Sequence, residues 1–243
     1  MKLLVLLFIH YSLFTIHHSS AAPQPKPNIV LIYADDQGWN DTGYQSDGVF
    51  KTPVLDRMAR EGMVFTDAYT NAANCQPARA CVLSGNYGPR HHVFAVNDTN
   101  RGPKEHMRLK PVPNRDGLAV EDITIADALK AAGYTTGHFG KWHLGTMTTE
   151  VKDSNRGRPG ATQHFSPPWE HGFDACFSTE AKVPTLDPMV TPPREHGGVA
   201  RDLVPGGPYG TAYWTGPGER VTEGLEGDDS TLIMDRALGF MGA

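Results

Sequence analysis

Three kinds of feature are nearly missing from this chain of 243 residues: cysteine, an excess of charge of one sign, and long apolar runs after the N-terminus. Three cysteines, Cys75, Cys81 and Cys176, cannot build a disulfide framework. Being odd in number, they also leave at least one thiol without an internal partner; Cys81 with Cys176, or two unpaired core thiols, account for the other two. Lys and Arg total 22 against 27 Asp and Glu, with no basic stretch to track phosphates, which excludes nucleic acid as a partner. No segment after residue 22 is apolar for long enough to cross a bilayer, which argues against stable membrane insertion. Internal repeats and low-complexity tracts are absent too. What is present at the start is export chemistry. Residues 1–22 carry Lys2, an apolar run over 3–16 and small residues ending in Ala21-Ala22, the pattern of a secretory signal peptide. A membrane anchor is disfavoured by the short run and by Pro23, Pro25 and Pro27 directly after it.

The rest of the chain alternates strand and helix patterns. Residues 28–34 (Asn-Ile-Val-Leu-Ile-Tyr-Ala) predict a strand buried on both faces. Asp35-Asp36-Gln37-Gly38 stands at its carboxyl end, where α/β sheets bind ligands. Thr52-Pro53, then Val54, Leu55, Met58 and Ala59, predict a helix closed by Gly62. Residues 63–68 predict a second strand, and a polar turn over 70–74 leads to Cys75. From Pro77 onward a helix is predicted, with Pro77 tolerated in its first turn. Residues 120–132 predict an amphipathic helix closed by Gly133, and 134–139 a third strand. This alternation implies an α/β fold with a largely parallel central sheet sandwiched by helices. Residues 146–224, dense in Gly, Pro and Thr, predict long surface excursions, and 229–241 return to a helical pattern.

Three sets of residues could carry chemistry. Asp35 and Asp36 would face opposite ways on a strand, but where the backbone turns both can face one cation, Ca²⁺ or Mg²⁺ by their hard oxygens. The same four residues also make good turn chemistry. Cys75 precedes a helix, whose free amides and positive dipole end favour an anion. Arg79, one turn on, returns to the same face with a guanidinium suited to a tetrahedral oxyanion. The plain alternative is a buried thiol and a surface arginine. In Gly140-Lys141-Trp142-His143-Leu144-Gly145, strand alternation would put Lys141 and His143 on one side and Trp142 on the other. A cation and an imidazole side by side suit transfer of a doubly charged group, since one neutralises charge and the other moves protons.

Taken together these segments resemble a family. Pro27-Asn28-Ile29-Val30 with Asp35-Asp36-Gln37-Gly38, Cys75-Gln76-Pro77-Ala78-Arg79 with Leu83-Ser84-Gly85, and Gly133-Tyr134-Thr135-Thr136 leading into the Lys-Trp-His segment stand in the order and spacing of type I sulfatases. The resemblance runs from residue 27 to at least 174. It implies an alkaline-phosphatase-like α/β fold, with residues 27–243 as the N-terminal part of a catalytic domain. It implies hydrolysis of sulfate esters, with Cys75 oxidised to formylglycine by a formylglycine-generating enzyme. One hydroxyl of the hydrated aldehyde attacks sulfur and the substrate alcohol leaves; the second then loses its proton and expels sulfate. By the same resemblance Asp35, Asp36 and the modified Cys75 ligate Ca²⁺ in preference to Mg²⁺. Arg79 holds the modified residue, Lys141 bridges it to the sulfate, and His143 takes the proton of the elimination step. The implied substrate is a sulfated small molecule or sulfated glycan, met in a periplasmic, extracellular or lysosome-like compartment. Thr179, Glu180 and Lys182, after Gly172-Phe173-Asp174, are read as ordinary loop residues.

Departures from the family pattern are Ala78 for a small hydroxyl residue, Ser84 for threonine, and His92 for a glycine, which strains a turn. The family takes two further metal ligands, a leaving-group histidine and a second lysine from positions beyond 243. The expectation is therefore an N-terminal portion with little activity alone. Two other readings share these residues: a phosphonate or phosphodiester hydrolase, and an inactive exported module that binds sulfated glycans.

Overall fold

The protein is described here by a computed structural model that covers residues 25–46, 49–100, 102–194 and 203–242, in two units, Met1–Gln37 and Gly38–Ala243. The predicted export segment, residues 1–22, lies outside the described residues.

In the N-terminal unit residues 28–34 form no strand, and Ile29, Val30, Leu31 and Ile32 are exposed. Residues 63–68, in the second unit, are likewise exposed and irregular, with Met63 at 79% and Phe65 at 70% exposure. Both depart from the predicted strands. A strand needs a neighbour for its amides and carbonyls and a layer over each apolar face, and the described residues give these two segments neither.

The helices follow local rules closely. Helix α1 (Pro53–Glu61) starts with its proline and closes with the Gly62 amide donating to the carbonyl of Met58 at 2.8 Å. Helix α2 (Cys75–Ser84) ends at Gly85 in the left-handed conformation, φ 64°. Helix α3 (Gly88–His91) is capped by His92 at φ 59°, the strained turn expected where glycine is usual. His91 ties α3 to α2: its Nδ1 accepts from the Val93 amide at 3.1 Å, which leaves the proton on Nε2, 3.4 Å from the Cys81 sulfur. Helix α4 (Ile125–Ala131) is shorter than predicted because a capping box sets its start. The Thr124 hydroxyl accepts from the amides of Ala126 and Asp127, and the Asp127 carboxylate accepts from the Thr124 amide at 2.8 Å. Helix α5 (Asp229–Met241) has the predicted bounds, with Asp228 accepting from the Thr231 amide.

One sheet organises the second unit: β1 (Gly137–Lys141), β2 (Ala175–Thr179), β3 (Trp214–Gly216) and β4 (Glu219–Arg220), in that order. Strands β1 and β2 run parallel, with Lys141 opposite Thr179, and the other two pairings are antiparallel. The α/β class stands; the sheet is mixed, with α5 packed against β1 and β2.

The stretch 146–224 departs from its prediction as surface excursions. It contains β2, β3 and β4, and its Met147, Phe177, Ala212, Tyr213 and Trp214 are buried. Turn-rich backbone can enter a core when its polar groups pair, and here they do: Thr146 donates to the carbonyl of His164 at 2.7 Å and Ser166 returns a bond to Thr146 at 3.1 Å. The core falls into three clusters. Ala80 of α2 packs with Val93, Leu118, Trp142 and Leu144; Met147, Ala212 and Trp214 pack together with Trp169; Phe177, Tyr213 and Leu225 pack with Ile233 of α5. Cys81 and Cys176 are buried free thiols, which settles the open question of their pairing.

Two outcomes test this core. Trp142 is fully buried, so Trp142→Ala is expected to cost about 3–5 kcal/mol, read as a lowered urea midpoint. His138 packs edge-on against Trp142 and Phe173, with its Nδ1 2.7 Å from the Ser178 hydroxyl. Burial, aided by the nearby Arg79 guanidinium, lowers its pKa to about 3, and burial likewise lowers that of His171. The folded state thus binds fewer protons than the unfolded chain. Stability is full above the ordinary histidine pKa near 6.5 and falls as pH drops below it. Denaturant midpoints measured from pH 7 to 5 should fall, and His138→Gln should flatten that slope; an unchanged slope would count against a neutral His138.

Candidate active site

The candidate site residues of the second unit lie on α2 and at the carboxyl end of β1, and one hydrogen bond joins the two segments. Cys75 is the first residue of α2 and half-buried, with Asn74 at the N-cap making no side-chain cap bond. Its first-turn amides therefore lack the usual side-chain acceptor, the arrangement that suits an anion. Arg79 lies one turn further, and its Nη1 donates to the carbonyl oxygen of Lys141 at 2.5 Å. That bond fastens the helix carrying Cys75 to the last residue of β1. The guanidinium thus also serves as a structural clamp, a use that spacing alone did not suggest.

Strand alternation stops at Lys141. Trp142 donates its amide to the carbonyl of Thr179 at 2.9 Å and its indole N–H to the carbonyl of Ser166 at 2.7 Å. His143 is buried and sits at φ 61°, a left-handed conformation uncommon for any residue but glycine. The predicted alternation of Lys141 and His143 along a strand is therefore replaced by a turn after β1. Trp142 does pack inward as expected. Gly145 permits the turn to close: at its φ of 149°, a Cβ would lie 2.5 Å from that of Ser166.

Behind this edge lies a buried ionic chain that spacing did not reveal. Gln76, fully buried and next to Cys75, donates to the Asp116 carboxylate at 3.3 Å. The same oxygen receives Nη2 of Arg156 at 3.1 Å, while Arg156 Nε donates to the Asp116 carbonyl at 3.1 Å. Arg156 Nη1 then meets Glu180 at 3.2 Å, and Glu180 also accepts from the amides of Asn155, Arg156 and Gly157. Burial pushes the Glu180 carboxyl above its ordinary pKa, with Arg156 pulling the other way. Glu180 is thus a core anchor and not an ordinary loop residue, and Thr179 beside it is buried as well. Lys182 is exposed, as a loop residue should be. These charges come from segments 24 and 40 residues apart, so no local pattern could have joined them.

Asp35 and Asp36 belong to the other unit. Both are exposed at a bend in which Asp36 has φ 59°, so they are not held to the opposite faces of a strand. Their carboxylates fit a hard cation in donor chemistry, but two carboxylates offer at most four of the six to eight oxygens that Ca²⁺ takes. Among the described residues no group of three or more His, Cys, Asp or Glu is placed to hold a metal. The pair does not complete a calcium site by itself.

The sheet and its edge define the class: an α/β protein of the alkaline-phosphatase-like fold, with a cysteine-led helix clamped to a Lys-Trp-His turn. A family model described as Sulfatase matches residues 27–241, and the chain belongs to the sulfatase family. It is 41% identical to mouse (Mus musculus) arylsulfatase G over 135 residues, covering 54% of this chain and 22% of that protein. It is 38% identical to mouse N-acetylgalactosamine-6-sulfatase over 164 residues, covering 66% and 27%. Among solved structures, Ps i-CgsB in complex with k-i-k-neocarrahexaose superposes with a TM-score of 0.62 at 25% identity, covering 90% of this chain and 42% of that one. The chain thus spans about a quarter of the length of the curated relatives it matches.

Thiol labelling checks the burial pattern. Burial raises the pKa of Cys81 and pushes that of Cys176 up to about 12, whereas Cys75 is half-exposed. The unmodified native chain should take one alkyl group, on Cys75, and three after unfolding. Rapid native labelling of Cys176 would contradict the structure.

Proposed function

We propose that this chain carries part of the catalytic centre of an exported sulfatase that hydrolyses sulfate esters through Cys75, converted to formylglycine by a formylglycine-generating enzyme. The observation that carries the reading is the hydrogen bond from Arg79 to the Lys141 carbonyl, which joins the cysteine-led helix to the Lys-Trp-His turn. With that bond in place, the cations of Arg79 and Lys141 serve one anion-binding edge. Arg79 fixes the modified residue, Lys141 neutralises charge on the sulfate, and His143, held in its left-handed turn, takes the proton whose loss expels sulfate. Asp35 and Asp36 are the proposed carboxylate ligands of Ca²⁺, which when bound would supply positive charge to a sulfate oxygen.

A sulfated glycan is the proposed substrate. The likeness to N-acetylgalactosamine-6-sulfatase and to a protein crystallised with k-i-k-neocarrahexaose supports this choice. Residues 1–22 support export, and no helix among the described residues is long and apolar enough to cross a membrane.

The test is the mass of the peptide containing Cys75 after co-production with a formylglycine-generating enzyme, paired with sulfate release from sulfated oligosaccharides and aryl sulfates. The expected result is replacement of the thiol by an aldehyde, with any sulfate release from this chain dependent on calcium and abolished by Cys75→Ala. His143→Ala should slow release by about 10²–10⁴-fold. An unmodified thiol with binding but no turnover would favour a glycan-binding module instead, and faster cleavage of phosphonate esters would move the assignment to that chemistry.

A further inference from the structure

The buried ionic chain behind the site ends at the two places where the proposed chemistry needs precision. At one end Gln76 follows Cys75 directly in the first turn of α2. At the other end Glu180 follows Thr179, whose carbonyl accepts the amide of Trp142, between Lys141 and His143. Arg156 stands between them, 1% exposed at its side chain, with its guanidinium split between Asp116 and Glu180. A buried arginine paired on both sides contributes little net stability compared with apolar packing. Its distinctive property is geometric, because a planar fork with several fixed donors permits few arrangements of its acceptors. We propose that Arg156 and Glu180 are positioning residues that act through Asp116 and Gln76 to hold Cys75 in one placement against the Lys141–His143 turn.

This rests on Cys75 being the reacting residue, but its consequence can be read without turnover. Among the described residues the Gln76 side chain hydrogen-bonds to Asp116 alone, so loosening Asp116 or Arg156 removes the polar tie on the side chain next to Cys75 and lets the first turn of α2 sample several states. Neither Arg156 nor Glu180 touches Cys75 through any bond described here; the effect has to travel along the chain of contacts.

The test uses the full chain made without the formylglycine-generating enzyme and tagged on Cys75 with a trifluoromethyl ketone reagent, Cys81 and Cys176 being buried. In the native chain the fluorine resonance should be single. In Glu180→Gln, and in Asp116→Ala should the first variant fail to fold, it should split or shift by more than its own width. Tyr213→Phe removes a part-buried hydrogen bond to Asp229 of α5, beside the cluster of Phe177, Tyr213 and Leu225, and serves as the stability control, in which the resonance should stay put. In a Gln76→Ala background, Glu180→Gln should add nothing further, because the link it acts through is already gone. An unchanged resonance in Glu180→Gln and Asp116→Ala, an equal shift in Tyr213→Phe, or a full additional shift in the double variant would each overturn the proposal. Loss of sulfatase activity, by contrast, bears only on the reading of Cys75 as nucleophile and leaves the fluorine result to stand by itself.

Discussion

Burial of the Trp142 indole is the constraint on which the arrangement of the site depends. The ring is fully enclosed and contacts His138, His171 and Phe173; its indole N–H and the backbone amide of the same residue each donate to a backbone carbonyl on another segment. A side chain of this size, fixed at its indole N–H and bonded at its own backbone amide, leaves its neighbours in sequence almost no freedom. Lys141 ends the strand on one side, and His143 is forced into a left-handed turn on the other. The strain at His143 is thereby held by packing and not by the residue's own preference.

Around that anchor the protein uses two kinds of tie. Short, local ones set the ends of helices, as Thr124 and Asp127 do for α4 and Asp228 does for α5. Long ones cross the fold with charge: Arg79 reaches the end of β1, and Arg156 joins Asp116 to Glu180. Long ties of this kind are expensive to desolvate, and the structure meets that cost by giving Glu180 three backbone amides besides its arginine. The same stretch of chain that looks like loop in composition is therefore among the most firmly held.

How much could be read from the residues alone differs by element. Helices α1, α2 and α5 were legible because a proline, an acidic cap and a closing glycine act within a few residues of each other. Strands 28–34 and 63–68 were legible as patterns but are not formed among the described residues, since a strand is completed by partners that its own residues do not specify. The stretch 146–224 misled because glycine and proline mark turns wherever they occur, on the surface or inside.

Local chemistry in the sequence nominated the candidate members of the site: which cysteine leads a helix, which arginine lies one turn on, and which lysine and histidine flank a tryptophan. It also determined where most helices start and stop, because those signals operate over one turn. Tertiary structure alone decided how the members are held. The bond from Arg79 to Lys141, the left-handed turn at His143 and the path from Gln76 through Arg156 to Glu180 join residues far apart in the chain. Such contacts follow from what is buried against what, and no spacing along the sequence encodes them.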